Sequence, residues 1–363
     1  MKWLTRIVLT LVVVAILGAI GFRIFQKQIL WRMFDRGVEL NLTSDFAEDL
    51  PDGLHVFMCG TGSPMPDNKR AGACLGVLAG EQAFIFDTGS GAIRKLSRMG
   101  FPMGKMQSAF LTHLHSDHID GLGEMLLMAW IGTNGFSNEP LPVYGPVGTE
   151  KVLAGFNSAY ELDRGYRIAH HGADIANFDG YGGRAIEIEL PIGPSSSKVV
   201  YDKNGVKISA IKVNHSPIEP AFGYRIDYKD RSVSFSGDTV YHPGFVAASK
   251  DVDVMFHEAL DPEMVSRIAE SLEASGRDIT AKLMHDIVDY HASPEEAARA
   301  AAQADASELV YYHLVPPLPT RIFNTIWLGE ARKEFKGKIT VGEDGMLVSL
   351  PAGSDQISYS RRF

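Results

Sequence analysis

Short apolar runs alternate with longer amphipathic segments from residue 54 to the end of the chain. Short apolar runs bounded by Gly, Pro or Asn predict β-strands, and the longer segments between them predict helices. The predicted strands are 54–58, 74–78, 83–86, 108–111, 141–144, 206–213, 222–227, 232–235, 252–256 and 309–312. The predicted helices are 92–99, 122–130 and 294–304, the last capped by Ser293. Residues 163–200, rich in Gly and Pro, predict long loops. The order fits one α/β domain with helices flanking a mixed sheet system.

The first thirty residues differ from the rest of the chain. An apolar run at 7–22 is flanked by the basic residues Lys2, Arg6, Arg23, Lys27 and Arg32. With apolar neighbours on each side and basic side chains reaching the interface, the segment is long enough to cross a bilayer. No A-x-A-type cleavage site follows the run, which favours an uncleaved anchor at 1–30 over a signal peptide or a buried core helix. We expect a linker at 31–52 and, although basic residues on both flanks determine orientation poorly, a periplasmic or extracytoplasmic catalytic domain.

Composition narrows the classes of function. The net charge of −9 argues against a protein that binds nucleic-acid phosphates through clustered Lys and Arg. Only two cysteines, Cys59 and Cys74, occur, which excludes a disulfide scaffold or a Cys-rich zinc module. Both lie in apolar segments that fit neighbouring strands. A disulfide stays open for an oxidising compartment, and our expectation is two buried free thiols.

The strongest local signal is a cluster of imidazoles and one carboxylate directly after a predicted strand. It reads Thr112-His113-Leu114-His115-Ser116-Asp117-His118. A loop leaving a strand end can turn His113 and His115 towards one point and Asp117 and His118 towards a second. This donor set suits zinc, iron or manganese. Further candidates follow later strands, namely His215, Asp238 in Ser236-Gly237-Asp238-Thr239, and His313.

Together these segments resemble the ligand set of the metallo-β-lactamase superfamily, and Phe86-Asp87-Thr88-Gly89 resembles its aspartate turn. The closest resemblance is to the ribonuclease Z and arylsulfatase-like branch. Its supporting motifs are Gly60-Thr61-Gly62-Ser63-Pro64, Val143-Tyr144-Gly145-Pro146, His257-Glu258-Ala259 and His291-Ala292-Ser293. The resemblance implies a four-layer αββα fold over residues 53–352, with an N-terminal anchor helix and a C-terminal tail at 353–363. Relatives in this branch also suggest a homodimer.

The resemblance further implies two divalent metal ions, with zinc expected ahead of manganese or iron. His113, His115 and His215 would hold one ion, and Asp117, His118 and His313 the other, with Asp238 bridging both. Such a pair generates a hydroxide at neutral pH. Asp117 would also orient that water or accept its proton, and Asp87 would brace the ligands.

Two further residues form the next tier of the expected site. In the ribonuclease Z branch the residues matching His291 and Glu258 support the transition state or protonate the leaving group. An imidazole held by a carboxylate is a suitable general acid. Structural roles for both residues, at a helix start and in a salt bridge, remain the alternatives.

For the substrate, the sequence favours a small ester, sulfate, phosphodiester or lactone, as in arylsulfatase-like relatives. We find no basic, Gly/Pro-rich arm of the kind that grips tRNA, and Leu314-Val315-Pro316-Pro317 replaces an aromatic-Ser-Pro-Arg segment. Nucleic acid is therefore an unexpected partner, and a ribonuclease Z-type tRNA 3′-processing endoribonuclease is the alternative. A β-lactamase proper and a non-catalytic binding protein are further alternatives. The second would lack ligands, and none is missing.

Overall fold

The computed structural model describes residues 2–42, 46–132, 135–136, 138–191, 193 and 196–363. The chain divides into two compact units, residues 1–50 and residues 51–363.

A single helix, α1 (Lys2–Leu42), makes up most of the first unit. Among the described residues, Lys2–Glu39 is long and apolar enough to cross a membrane, with a mean hydropathy of 2.6 in its apolar window and none of that window buried. The helix continues to Leu42 and so includes the first part of the expected linker at 31–52, a segment that would also suit an amphipathic stalk. Residues 31–42 contain no proline, and most of them are compatible with a helix, so nothing in the sequence ends the helix at residue 30.

The second unit contains the strands and the remaining helices. The strands are β1 (Gly53–Gly60), β2 (Cys74–Ala79), β3 (Gln82–Phe86), β4 (Met106–Phe110), β5 (Ile131–Gly132), β6 (Gly135–Phe136), β7 (Leu141–Gly145), β8 (Gly183–Glu187), β9 (Ser197–Lys203), β10 (Val206–His215), β11 (Ile218–Tyr228), β12 (Arg231–Phe235), β13 (Val254–Leu260), β14 (Glu308–Val315), β15 (Lys338–Val341), β16 (Met346–Pro351) and β17 (Ser358–Arg361). The helices are α2 (Ala92–Arg98), α3 (Ser116–Ile119), α4 (Leu122–Trp130), α5 (Thr149–Ala159), α6 (Glu161–His171), α7 (Pro243–Ala248), α8 (Pro262–Ala274), α9 (Asp278–Asp286), α10 (Pro294–Gln303), α11 (Asn324–Trp327) and α12 (Ala331–Glu334).

Two large sheets form the centre of this unit in the described part of the chain. The first has the strand order β17-β16-β1-β2-β3-β4-β7-β8, and the second has the order β15-β14-β13-β12-β11-β10-β9. Their inner faces bury a common apolar cluster, as sheet packing requires. Helices α2, α4 and α5 contact the first sheet, and α7 and α10 contact the second. The predicted αββα arrangement is confirmed.

An aromatic cluster joins the two sheets below the ends of β3 and β4. Phe110 stacks on Phe86 at 5.0 Å and on Tyr144 at 4.8 Å between ring centroids. Tyr224 and Phe235, from the second sheet, lie 5.4 and 4.9 Å from Phe86. β3 and β4 both end at rings of this buried cluster. The packing of the cluster therefore fixes the position at which the residues after each strand begin.

Two segments that the sequence left irregular belong to regular structure. Residues 163–200 contain most of α6, all of β8 and part of β9. Helix α6, described in full, has no buried residue, so no apolar face marks it in the sequence. The expected tail at 353–363 contains β17, which pairs antiparallel with β16 at the sheet edge. Short, half-exposed edge strands carry little hydrophobic pattern.

The expectation of two free thiols is corrected as well. Cys59 and Cys74 form a disulfide, with Cα atoms 5.2 Å apart. They lie on β1 and β2, which pair antiparallel with a register shift between Met58 and Gly60. That shift brings the two residues within bridging distance, and it is a local irregularity that an apolar pattern does not reveal.

Candidate metal centre

The predicted imidazole cluster lies between β4 and α3. His113 and His115 precede the helix, with His115 at its N-cap, and Asp117 and His118 lie in its only turn. The chain therefore passes within a few residues from the aromatic cluster at the end of β4 into helix α3. As a result, donor atoms from residues 113 to 118 face the same space.

Three strand ends of the second sheet supply the other candidates. His215 is the last residue of β10, and Asp238 follows β12. His313 lies inside β14 rather than after it, with a φ of 48°. The pairing of β13 with β14 shifts register at the same place. A bulge of this kind redirects one side chain, and histidine tolerates the left-handed region better than most residues.

Asp238 lies at the centre of the cluster. Its Oδ2 is 3.4 Å from Nε2 of His118 and of His313, 3.9 Å from Nε2 of His215 and 4.0 Å from Nε2 of His113. Five groups of three donors lie within 4.8 Å of one another, and two of them include His291. The three groups that contain only predicted ligands are His113 with His115 and His215, Asp117 with His118 and His313, and His113 with His118 and Asp238. The first two groups coincide with the two sets that the resemblance implies. All seven predicted ligands thus lie together, and their coordination of particular ions remains a prediction.

The donor set fits a divalent cation. Nε2 of His118, Nε2 of His215 and Oδ1 of Asp238 are buried without a hydrogen-bond partner among the described residues. A buried polar atom without a partner is costly, and several directed at one point call for a shared partner. Imidazole nitrogens together with a smaller number of carboxylate oxygens are the donors typical of zinc sites.

Asp87 braces the first half of the site from below. Its carboxylate accepts hydrogen bonds from the Thr112 backbone N–H at 2.8 Å and from the Thr112 hydroxyl at 2.8 Å. It also lies 2.8 Å from Nδ1 of His118. An acceptor at Nδ1 leaves Nε2 of His118 free for a metal, as in carboxylate–histidine–metal arrangements. The predicted bracing position of Asp87 is therefore present in the structure.

Tyr290 holds Nδ1 of His215 as Asp87 holds Nδ1 of His118. This role of Tyr290 was not predicted from the sequence. The Tyr290 carbonyl oxygen accepts a hydrogen bond from Nδ1 of His215 at 3.0 Å. The Tyr290 ring lies edge-on to His215, with centroids 4.8 Å apart. A backbone carbonyl leaves no mark in the residue type, and the only available signal was the adjacency of Tyr290 to His291.

Glu258 and His291 lie beside the ligand cluster, as expected. Oε2 of Glu258 is 3.2 Å from Nδ1 of His291. Oε1 accepts hydrogen bonds from the backbone N–H groups of Thr239 at 3.2 Å and of Ala292 at 3.0 Å. Although burial acts to lower it, Glu258 raises the pKa of His291 to about 8. An imidazole whose charged form is favoured by a carboxylate suits a proton donor.

The ligands themselves differ in their proton affinity. Burial lowers the pKa of His113 well below its ordinary value, helped by the neighbouring His118. Burial also opposes a charge on His118, but Asp238 and Asp87 outweigh it and raise the pKa of that imidazole. The surrounding imidazoles, His313 first, lower the pKa of Asp238 against the effect of burial. The two shifts have one origin: the buried carboxylates favour a charged imidazole, and the buried imidazoles favour an ionised carboxylate.

A cavity of about 250 Å³ opens onto this cluster. Its wall includes Ser63, Pro64, Met65, Ile287 and Tyr290 together with His115, Asp117, Asp238, His291 and His313. A second cavity of about 420 Å³ adjoins it and shares Ser63, Pro64, Met65, Ser116 and Asp117. Substrate would therefore reach the ligands along the segment that follows β1.

Comparison with known proteins identifies relatives across most of the chain. A β-lactamase superfamily domain model matches residues 82–314. Ribonuclease Z of Mycobacterium avium (strain 104) is 35% identical over 302 residues, which cover 83% of this chain and 100% of that protein. Ribonuclease Z of Mycobacterium bovis (strain BCG / Pasteur 1173P2) is 36% identical over 293 residues, covering 80% of this chain and 96% of that protein.

Solved structures share the fold. The human short-form tRNase Z superposes with a TM-score of 0.56 at 21% identity, covering 82% of this chain and 99% of that one. A metallo-β-lactamase fold protein of Bacillus subtilis gives a TM-score of 0.56 at 20% identity, with 82% and 99% covered. At these identities the likeness concerns the fold alone.

We expect the Asp238→Ala variant to lose bound metal, because Asp238 lies within reach of four of the imidazoles. Metal per polypeptide, measured by atomic emission after gel filtration, should fall from about two equivalents, the number in two-metal hydrolases, to well below one. Asp120→Ala is the matched control, because Asp120 follows the same short helix but belongs to none of the donor groups found among the described residues. Full metal content in Asp238→Ala would exclude Asp238 as a ligand.

Proposed function

The chain belongs to the ribonuclease Z family of the metallo-β-lactamase superfamily, a family of metal-dependent hydrolases, and we propose that it cleaves a phosphodiester bond in precursor tRNA. The observation that carries this proposal is the likeness to proteins named ribonuclease Z over their entire length. The buried donor cluster and the adjoining cavities support it, because metal-assisted phosphodiester hydrolysis uses metal ligands with a proton donor beside them.

The substrate predicted from the sequence was wrong. A small ester, sulfate, phosphodiester or lactone was expected and nucleic acid was not, and the ribonuclease Z relatives overturn both expectations. The arylsulfatase-like interpretation is withdrawn with them. That interpretation rested on two grounds. The first was the net charge, which is a property of the whole molecule, and the second was the absence of segments that serve only one way of binding tRNA.

In the proposed reaction the chain supplies ligands, a water-orienting carboxylate and a proton donor. Metal ions bound by His113, His115, Asp117, His118, His215, Asp238 and His313 would polarise the phosphate and activate a water molecule. Zinc is the proposed metal, because imidazole nitrogens outnumber carboxylates in the cluster. Asp117 would orient the water and accept its proton. The water oxygen bonds to phosphorus, the bond from phosphorus to the leaving oxygen breaks, and His291 donates its proton to that oxygen while Glu258 holds the imidazole.

The apolar helix α1 also supports a membrane tether, which is the second part of the proposal. Basic residues are more numerous after the apolar run, at Arg23, Lys27, Arg32 and Arg36, than before it, at Lys2 and Arg6. By the positive-inside rule this favours a cytoplasmic catalytic unit, where precursor tRNA is found. The extracytoplasmic placement expected earlier is not carried into the proposal.

The direct test uses the full chain, purified in detergent with its metal, and a precursor tRNA bearing a 3′ extension. We expect cleavage at one site near the end of the acceptor stem, abolished by a chelator and restored by zinc. A mature tRNA without the extension serves as the control substrate. Hydrolysis of aryl sulfates or esters with no cleavage of the precursor would contradict the proposal.

His291→Ala should retain metal and lower turnover of precursor tRNA by about 10²–10⁴, the usual scale for loss of a general acid. Single-turnover rates at saturating enzyme separate this effect from weaker binding. The control is His285→Ala, since His285 lies on α9, is hydrogen-bonded to Glu273 at 3.1 Å and belongs to none of the donor groups in the described part of the chain. An unchanged rate in His291→Ala would remove His291 from the proposed mechanism.

For the tether, the full chain should fractionate with membranes, and a chain beginning at residue 46 should be soluble. The Cys59–Cys74 disulfide distinguishes the two sides of the membrane, because the cytoplasm keeps thiols reduced: for a cytoplasmic catalytic unit, alkylation of unfolded protein taken directly from cells labels both cysteines. A disulfide recovered from cells would instead place the catalytic unit in an oxidising compartment.

A further inference from the structure

Asp344 is a buried carboxylate to which neither the resemblance nor the proposed reaction assigns a role. It lies in the turn between β15 and β16, and its side chain is 4% exposed. Its Oδ1 accepts hydrogen bonds from the Thr61 backbone N–H at 2.9 Å and from the Thr61 hydroxyl at 2.7 Å. Its Oδ2 accepts from the Ala71 backbone N–H at 2.7 Å and from the Lys95 ammonium at 2.5 Å.

These four donors come from two distant elements. Thr61 and Ala71 begin and end the segment 61–71, which follows β1, and Lys95 lies on α2. Arg70 joins these contacts into one network. It donates to the Thr61 hydroxyl at 2.5 Å and to the Gly342 carbonyl at 2.6 Å. A carboxylate is an acceptor only, and charge-assisted hydrogen bonds are the strong ones, so Asp344 holds both ends of the segment at one point.

The segment 61–71 forms a wall of the metal centre. Ser63, Pro64 and Met65 line both the cavity over the ligands and the adjoining cavity. The middle of the segment is exposed at Pro64, Pro66, Asn68 and Lys69. Lys69 donates to the Pro319 carbonyl and accepts from Lys95, both at 2.6 Å, but these two hydrogen bonds are exposed and water competes with them. The position of this wall therefore depends mainly on how its two buried ends are fixed.

Backbone contacts connect those ends to the metal ligands. The Thr61 carbonyl accepts a hydrogen bond from the Leu314 N–H at 3.0 Å, directly beside His313. At the other end, a Cβ on Gly72 would come within 2.9 Å of the Asp117 carbonyl oxygen, so only glycine permits this approach. These backbone contacts do not involve the Asp344 side chain, so the ligands keep their own supports when Asp344 is changed.

We infer that Asp344 is a positioning residue for the substrate: it fixes the wall 61–71 so that an extended polynucleotide, rather than a small phosphodiester, is aligned with the metal centre. The substrate named in this inference rests on the proposed function. The choice of Asp344 rests on the geometry of its hydrogen-bond network. A small diester needs only the ligands and the proton donor. A polynucleotide must also pass along the wall, because the two cavities meet there.

The test is the Asp344→Asn variant of the full chain with its metal. Asparagine keeps one oxygen for Thr61, loses the charge that faces Lys95, and can place an N–H donor against the Ala71 N–H. We expect KM for precursor tRNA to rise about 10-fold, the effect of losing one charge-assisted hydrogen bond, with kcat changed less than about 3-fold. Metal content and hydrolysis of bis-p-nitrophenyl phosphate should not change.

A second measurement does not depend on catalysis. Trypsin cleaves after Lys69 and Arg70, both inside the wall, and a released wall should be cut faster in Asp344→Asn than in the unchanged protein. The matched control is Asp253→Asn. Asp253, directly before β13, accepts the Ser232 N–H at 2.7 Å and lies 3.2 Å from Arg231. Both partners are at the start of β12, whereas Asp238 follows the other end of that strand. This control should change neither KM nor the cleavage after Lys69 and Arg70.

Three outcomes would overturn the inference: an unchanged KM, an unchanged rate of tryptic cleavage, or a parallel loss of metal and of bis-p-nitrophenyl phosphate hydrolysis, which would show a general structural role. Failure of the proposed function looks different, because the unchanged protein would then not cleave precursor tRNA. In that case the tryptic rate decides: a faster cut in Asp344→Asn supports the positioning of the wall, and an equal rate contradicts it.

Discussion

The burial of many ligand atoms at one junction is the constraint on which the rest of the structure depends. Imidazole nitrogens and carboxylate oxygens from both sheets converge at distances of 3.2 to 4.0 Å, several of them without a partner in the described chain. Such an arrangement is unfavourable unless a cation completes it and rigid supports hold it open. The supports are visible: Asp87 and the Tyr290 carbonyl engage the remote nitrogens of His118 and His215. The aromatic cluster below β3 and β4 fixes the strands from which the first ligands depart.

Much of this site could be predicted from the sequence because its chemistry is local. The segment 113–118 places several donors within one turn, and a polar residue directly after a buried strand is easily recognised at His215 and Asp238. The contributions of Tyr290 and Asp344 could not be predicted. One acts through its backbone, and the other lies 283 positions from the threonine that it holds. Helix α6 was missed because it buries none of its residues, and β17 because its edge position leaves it half-exposed. Predictions from pattern succeed where burial dictates the pattern and fail where it does not.

The substrate was mispredicted for a different physical reason. Metal ligands report the chemistry of bond cleavage, which esters, sulfates and phosphodiesters share, whereas substrate choice depends on walls and surfaces around them. Net charge and missing segments are weak guides to such surfaces, because a local field is not determined by a molecular total. Likeness along whole ribonuclease Z sequences integrates many positions that no single motif contains. The wall 61–71, which is exposed in its middle and fixed at both ends, is one of the surfaces on which the choice of substrate would depend.

The distribution of the ligands between the sheets has a consequence for the life of the protein in the cell. Residues 113–118 extend from the first sheet, and His215, Asp238 and His313 belong to strand ends of the second. An ion held by ligands from both sheets would connect the two sheets, and its binding energy would add to the stability of their packing. The supply of metal would then govern abundance as well as activity. Under metal starvation the empty protein would open more often along that seam, and proteolysis would remove it before its active site could be refilled.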